Sequence, residues 1–305
     1  MTSLKDQIGD FITPQDVKSY TGKIFLADAK KGHGIKTVFE TISKFSKRIT
    51  VKFTEEGMYS RPEDDAERVL FNLVLRNDAF LKYKCTKTCI RSFNIQQISK
   101  NISGLKKKDA LTLFITEKLP TKLFLYVKPN SSDNEAEIFD FDCQIESDYE
   151  VKKLPVKYTD DTSKSISVYK NPVIVESARF QKIKAITSQV KIFSIGIQGS
   201  YFFTAFSNIG NMSASRIISG EVVEDVKYYC AEFQSQIFRV LCKLNSINKT
   251  IKIYAPTVEQ YPLKLCIDID TYGTLTIFVK DNQQIEYEIE ESSELAHKKI
   301  KKRKK

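Results

Sequence analysis

The residues able to do chemistry are few, and their spacing suits no familiar reaction. The histidines are His33 and His297, so acid–base work built on imidazole has little to draw on. The six cysteines, Cys85, Cys89, Cys143, Cys230, Cys242 and Cys266, are scattered, most of them among apolar residues. Cys85 and Cys89 have no second pair near a histidine, whereas structural zinc takes ligands grouped as close pairs. Reduced, mostly buried thiols and no metal are the expectation. The acid pairs Asp140/Asp142 and Asp268/Asp270 alternate along apparent strands, which puts both carboxylates of a pair on one face. They could hold a cation, but a solvated strand face is the simpler reading. There is no Gly-x-x-x-x-Gly-Lys phosphate loop, no Gly-x-Gly-x-x-Gly and no Gly-x-Ser-x-Gly elbow. No catalytic residue, cofactor or enzymatic activity is expected.

What remains is charge. The net charge is +10 over 305 residues, and the end of the chain, Lys298–Lys305 (KKIKKRKK), carries seven basic residues and no acid. Four further segments, Ile35–Arg48, Ile95–Lys108, Ala178–Lys191 and Phe233–Lys243, hold fourteen basic residues and one acid, Glu40. Outside them and the tail the chain is net acidic. Signs separated in this way point to an anionic partner facing those segments.

Each segment has the period of an amphipathic helix. Ile35, Val38, Phe39, Ile42 and Phe45 form one stripe; Ile95, Ile98, Ile102 and Leu105 a second; Ile183, Ile186 and Val190 a third; Phe233, Ile237, Val240, Leu241 and Leu244 a fourth. The basic residues mostly lie off these stripes: Lys36, Lys44, Lys47 and Arg48; Lys100, with Lys106, Lys107 and Lys108 at the exit; Arg179, Lys182, Lys184 and Lys191; Arg239 and Lys243.

The chain also repeats itself at an offset near 140 residues. Gly57 pairs with Gly199, Phe93 with Phe233, the strand LTLFI at Leu111 with IKIYA at Ile251, and Leu123 and Leu125 with Leu263 and Leu265. Each half reads helix, hairpin strands, helix, hairpin strands. This is an α+β architecture of two tandem similar domains, each an antiparallel sheet structure with two basic helices packed on its buried face. A hydrophobic content of 41% suffices for two cores. No apolar run approaches the ~20 residues of a membrane span. Met1–Pro14 lacks the pattern of a secretory signal, so a soluble, intracellular protein is expected. If the domains sit edge to edge, the four helices share one concave, positive surface. Their evenly spread cations suit duplex DNA phosphates rather than base reading.

Two stretches, Val69–Cys85 (VLFNLVLRNDAFLKYKC) and Tyr261–Val279 (YPLKLCIDIDTYGTLTIFV), resemble the sliding clamps of the proliferating cell nuclear antigen family. The spacing of Leu73, Leu75, Arg76, Phe80, Tyr83 and Cys85 carries the first likeness, which extends weakly from Ile24 to Glu288. The resemblance implies a DNA clamp: a homotrimeric ring whose helices line the hole around double-stranded DNA. Such a ring tethers a DNA polymerase as a processivity factor in replication and repair and is opened by a clamp loader. It implies DNA contacts from the basic residues named above, with Lys106–Lys108 at the rim. Ring closure would pair an edge strand near Lys122–Val127 with one near Asn211–Ser219 of the next subunit. It further implies a pocket for partner peptides at Val69, Leu70, Pro262 and Phe278, with Ile145 as apolar anchor of the linker. The likeness breaks at Lys280 and Asp281, where the family has a small residue and proline.

The implied organisation is an N-terminal extension (1–21), a first clamp domain (22–142), a linker (143–164), a second clamp domain (165–290) and a basic tail (291–305). The tail reads as a nuclear localisation signal, an extra nucleic-acid contact or a solubilising end. It favours a nuclear protein, with a cytoplasmic viral replication site as the alternative, because richness in Lys, Ile and Asn fits an AT-rich virus or protist. Two other functions compete: a subunit of a heterotrimeric checkpoint clamp, and a monomeric processivity factor that clings to DNA by charge.

Overall fold

The computed structural model describes residues 22–131, 135–149, 152–159, 165–207, 213–222 and 228–290. The N-terminal extension, the basic tail, Asn211 and part of the linker lie outside the described residues.

The first half runs β1 (Lys23–Ala29), α1 (His33–Ile42), β2 (Arg48–Phe53), β3 (Gly57–Ser60), β4 (Val69–Arg76), β5 (Lys82–Cys85), β6 (Cys89–Asn94), α2 (Ile95–Asn101), β7 (Ala110–Thr116), β8 (Lys122–Lys128) and β9 (Glu137–Glu146). A short hairpin, β10 (Lys157–Thr159) with β11 (Ser165–Ser167), follows. The second half runs β12 (Val173–Glu176), α3 (Ser177–Gln181), α4 (Ile183–Thr187), β13 (Ile192–Gln198), β14 (Tyr201–Ser207), β15 (Ser213–Ser219), β16 (Glu221–Val222), β17 (Tyr229–Gln234), α5 (Ser235–Leu241), β18 (Thr250–Tyr254), β19 (Leu263–Ile269) and β20 (Gly273–Val279). A further helix covers 282–290.

The repeat is visible in the strand order. The first half builds β5-β1-β7-β8-β9 and the second builds β16-β12-β18-β19-β20, each element in the same place. All paired strands are antiparallel, and inward residues alternate with outward ones, as in Val69–Arg76, where Val69, Phe71, Leu73 and Leu75 are buried. The halves join through one ladder, β4 to β20, with Val69 opposite Val279 and Leu75 opposite Gly273. β9 changes neighbour along its length: residues 137–142 pair with β8 and residues 143–146 with β6.

The register corrects two expectations. Phe53 faces Met58 and Ile197 faces Phe202, so Gly57, first in β3, matches Tyr201, while Gly199 lies inside the turn. The glycines are alike in kind but offset by two positions. Lys122–Val127 is no edge strand either: β8 is paired on one side with β7 and on the other with β9.

The helices are shorter than their periodic stripes. α1 stops at Ile42 because the next bonds tighten to three-residue spacing, Lys44 N to Thr41 O and Phe45 N to Ile42 O. Arg48 therefore opens β2. α2 begins where the Asn94 side chain caps the Gln97 N–H at 3.1 Å, and Phe233 likewise belongs to β17 rather than to α5. The third stripe is broken into α3 and α4 at Lys182, whose N–H bonds back to Arg179 O.

Candidate nucleic-acid interface and partner surface

The helices form one layer. α1 packs on α2 and on the 3-10 turn Cys242–Ser246 that follows α5; α3 packs on the same turn, and α4 on α5. Their apolar stripes, including Ile35, Val38, Ile98, Ile183, Ile237 and Leu241, enter the shared core of both halves. The opposite side is left to polar residues. At the meeting of the two halves it forms a cleft of about 450 Å³ lined by Lys44, Lys100, Lys184 and Lys243 with small polar residues such as Ser99, Ser103 and Asn245. All four lysines are exposed. The acid there is Glu40, already paired with Lys36 at 3.7 Å. The arrangement presents concentrated positive charge at flexible ammonium groups, which suits phosphate oxygens without reading bases.

The other basic residues fall into groups. Lys47, Lys182 and Lys191 are exposed in turns beside the helices. Lys106, Lys107 and Lys108 project from the α2–β7 loop, which the Asp109 carboxylate fastens by accepting from Lys106 N at 2.7 Å and Asn130 N at 3.0 Å. Arg179 is paired with Glu176 at 3.0 Å. Arg48 lies along the sheet, donating to Ser92 O at 3.3 Å.

Lys36 corrects the sequence reading. Its ammonium donates to Leu105 O at 3.0 Å and to Ser103 O, and its side chain is 12% exposed. It ties α1 to the end of α2 and offers little to a ligand. Arg239 does similar work in the second half, donating Nε–H to Thr187 O at 2.6 Å at the end of α4, although it stays exposed. Both place positive charge on carbonyls at a helix C-terminus, where the helix dipole favours it.

One acid of each pair sits in a cross-strand ion pair, Asp140 with Lys122 at 2.5 Å and Asp268 with Lys252 at 3.2 Å, while Asp270 lies past the end of β19 in the turn at φ 45° rather than on the strand. Among the described residues no group of three His, Cys, Asp or Glu side chains is placed to hold a metal. Cys85, Cys89, Cys143 and Cys242 are buried free thiols, Cys266 is half-buried and Cys230 is exposed. A hydrogen bond from Cys85, opposed by burial, holds the Cys89 thiol below the usual range, and the same bond pushes Cys85 up.

On the outer face of the β4–β20 junction, Leu70 and Phe278 stand opposite each other in a second apolar cluster with Val168 and Tyr169. The Tyr169 hydroxyl donates to Pro262 O at 2.6 Å, so the structure brings Leu70, Pro262 and Phe278 together. Val69 does not join them: alternation turns it to the opposite face, where it is fully buried in the main core. Ile145 is also misplaced, since it is 51% exposed on β9 opposite Arg91. The linker residues that do pack here are Leu154 and Val156, with Tyr254 and Tyr261 beside them. The sequence reading missed these; the alternation of Leu154 and Val156 in an otherwise polar linker was the available signal. Lys280 and Asp281, where the family likeness breaks, start the 282–290 helix. The Asp281 carboxylate accepts from Gln284 N at 2.8 Å, the Gln284 side-chain oxygen accepts from Asp281 N at 3.2 Å, and Lys280 pairs with Glu288 at 2.7 Å.

The fold and this helix layer define a DNA clamp. Residues 24–151 match the family described as proliferating cell nuclear antigen, N-terminal domain. The DNA polymerase sliding clamp of Nitrosopumilus maritimus (strain SCM1) is 25% identical over 206 residues, covering 66% of this chain and 71% of that protein. Proliferating cell nuclear antigen 2 of Plasmodium falciparum (isolate 3D7) is 28% identical over 83 residues, which span 27% of this chain and 31% of that protein. A chain of the PCNA2–PCNA3 complex of Sulfolobus tokodaii superposes with a TM-score of 0.69 at 15% identity, covering 84% of this chain and 99% of that one. These likenesses support a DNA sliding clamp of the proliferating cell nuclear antigen type with a role in replication.

Proposed function

We propose that three copies of this chain close head to tail into a ring around duplex DNA, and that the ring tethers a DNA polymerase without catalysing a reaction itself. One observation carries the reading. Within the chain, β20 closes on β4. Their counterparts in the other halves are β9 and β15, and among the described residues nothing pairs with the outer edge of Glu137–Asp142 or of β15. Two open edges whose equivalents already pair within the chain are heterologous surfaces that must join successive copies. Carrying the β4–β20 register across the repeat sets Phe139 of one copy opposite Ala214 of the next.

The helix layer of each copy then faces the hole. Lys44, Lys100, Lys184 and Lys243 lead the DNA contacts, with Lys47, Arg48, Lys106–Lys108, Arg179, Lys182, Lys191 and Arg239 around them. The Leu70–Pro262–Phe278 cluster with Tyr169, Tyr254 and Tyr261 receives aromatic anchors of polymerase and other partner peptides. A clamp loader and roles in repair follow from the same reading, and the basic tail supports a nuclear location, with a cytoplasmic viral replication site as the alternative.

Light scattering at micromolar concentration, followed by retention on closed circular against linear DNA, tests the proposal. A mass three times 35.0 kDa and loss from linear ends fit the closed ring. A monomer at every concentration would reject self-closure. It would favour a ring of unlike subunits, the reading suggested by a structural neighbour that is a complex of two different clamp proteins. Tight, steeply salt-dependent binding of that monomer to short linear DNA would instead indicate a clinging factor.

A further inference from the structure

A row of outward side chains crosses the junction of the halves, and a cation stands in the middle of it. Tyr254 of β18 lies opposite Lys264 of β19, Lys264 opposite Phe278 of β20, and Phe278 opposite Leu70 of β4. The Lys264 ammonium is 4.2 Å from the Tyr254 ring centroid and 5.2 Å from that of Tyr169, which in turn packs on Phe278 at 6.0 Å. Lys264 thus lies within the apolar cluster of Leu70, Tyr169, Pro262 and Phe278.

Neighbouring lysines have carboxylates. Lys252, on the same face of β18 as Tyr254, pairs with Asp268 at 3.2 Å, and Lys280 pairs with Glu288 at 2.7 Å. Lys264 is half-buried, and among the described residues its charge is met by the two tyrosine rings rather than by an acid. Burial holds its pKa below the ordinary lysine range, opposed by Cys266 and by no carboxylate. An aromatic face attracts a cation but offsets only part of the cost of taking it out of water.

The consequence falls on whatever covers the cluster. A purely apolar ligand laid over Leu70, Pro262 and Phe278 completes the burial of the ammonium and leaves it without an anion, which weakens binding. A ligand carboxylate turns the same burial into a charge-assisted hydrogen bond. Cross-strand neighbours on one face stand ~5 Å apart, and one residue of extended chain spans about 3.5 Å. The acid must therefore lie one or two positions from the aromatic anchor that rests on Phe278.

On the reading of this cluster as a partner-peptide pocket, on which the selection rests, we propose that Lys264 is its specificity-determining residue. It selects partner peptides that carry Asp or Glu within two positions of the aromatic anchor.

Fluorescence anisotropy of labelled synthetic peptides with the full chain tests this. The peptides share one aromatic-anchored, otherwise neutral sequence and carry Asp or Asn at each position in turn on either side of the anchor. Asp next to the anchor should bind about ten-fold tighter than Asn at the same place, with little difference farther out. Lys264→Met should abolish that preference without weakening the Asn peptides, and Lys264→Arg should keep it. Lys264→Gln supplies the same comparison if the Met variant fails to fold. Equal affinity of Asp and Asn peptides at every position overturns the selection and leaves the pocket standing. A preference that survives Lys264→Met and Lys264→Gln also overturns it, because another cation then meets the acid. Binding by none of the peptides rejects the pocket and the selection together.

Discussion

A Cβ atom on Gly273 would stand 1.9 Å from the carbonyl oxygen of Val74. Gly273 opens β20 at φ 155°, a backbone state that side chains rarely adopt, and it lies opposite Leu75 in the ladder joining the halves. Gly57 presses on β4 from the other side in the same manner, 2.1 Å from Leu75 O by the same construction. β4 is thus approached on both flanks by residues that must lack a side chain. Gly273→Ala should cost about 3 kcal/mol or more in denaturant unfolding, as strain at a special backbone position does. Gly199→Ala, at φ 53° with open space around it, should cost about 1 kcal/mol. Equal effects would mean that the close approach to β4 is relieved by movement.

Replacing Lys44, Lys100, Lys184 and Lys243 together by alanine should weaken duplex binding at every sequence tested. It should also reduce the slope of log affinity against log salt by about 0.9 for each phosphate no longer neutralised. Unfolding midpoints should barely move, since all four are exposed. Lys36→Met should do the reverse, lowering stability by about 1 kcal/mol with little change in the salt slope, because its ammonium is spent on carbonyls. An unchanged slope in the quadruple variant would remove the cleft from the DNA surface.

Thiol reactivity should follow exposure and burial. Burial pushes the Cys143 thiol up to about 11 and Cys242 up to about 12, so both stay protonated at pH 8. Exposed Cys230 should be alkylated first in the native protein, with Cys143 and Cys242 labelled only on unfolding. Mass spectrometry of a timed iodoacetamide reaction reads the order directly.

His33 gives the fold a pH dependence with a defined sign. Burial, then the Lys36 and Lys107 charges, hold its pKa below the ordinary 6.5. The folded state therefore resists the imidazolium form. Its contribution to stability is fully present above pH 6.5 and is lost as pH falls through the lower folded value. Denaturant midpoints at pH 8 and pH 5 should differ less in His33→Gln than in the parent chain. The same difference in both would show that His33 is solvated as freely as in the unfolded chain.

The duplication, the antiparallel sheets and the basic helices were legible because period and charge are local properties. Ile35, Val38, Phe39 and Ile42 declare their face by spacing alone. Helix length was not legible: the tightened turns after Ile42 and at Lys182 depend on side chains such as Ser43, whose hydroxyl bonds to Glu40 O. Nor does spacing tell a solvent-facing cation from one consumed by carbonyls, which separates Lys44 from Lys36. Val69 and Leu70 differ by one position and therefore by a whole face of the sheet, so a pocket inferred from neighbouring residues had to be half wrong. Edge status is a property of partners, and β8 could not be told from β9 before pairing was known.

The ladder between β4 and β20 has a consequence for divergence. The junction is a main-chain ladder, and β4 is approached closely by a glycine on each flank. A scaffold specified in that way tolerates replacement of most of its surface and much of its interior, provided the alternation and the close approaches survive. That is how a chain can share only 15% of its residues with a solved clamp and still superpose over 84% of its length.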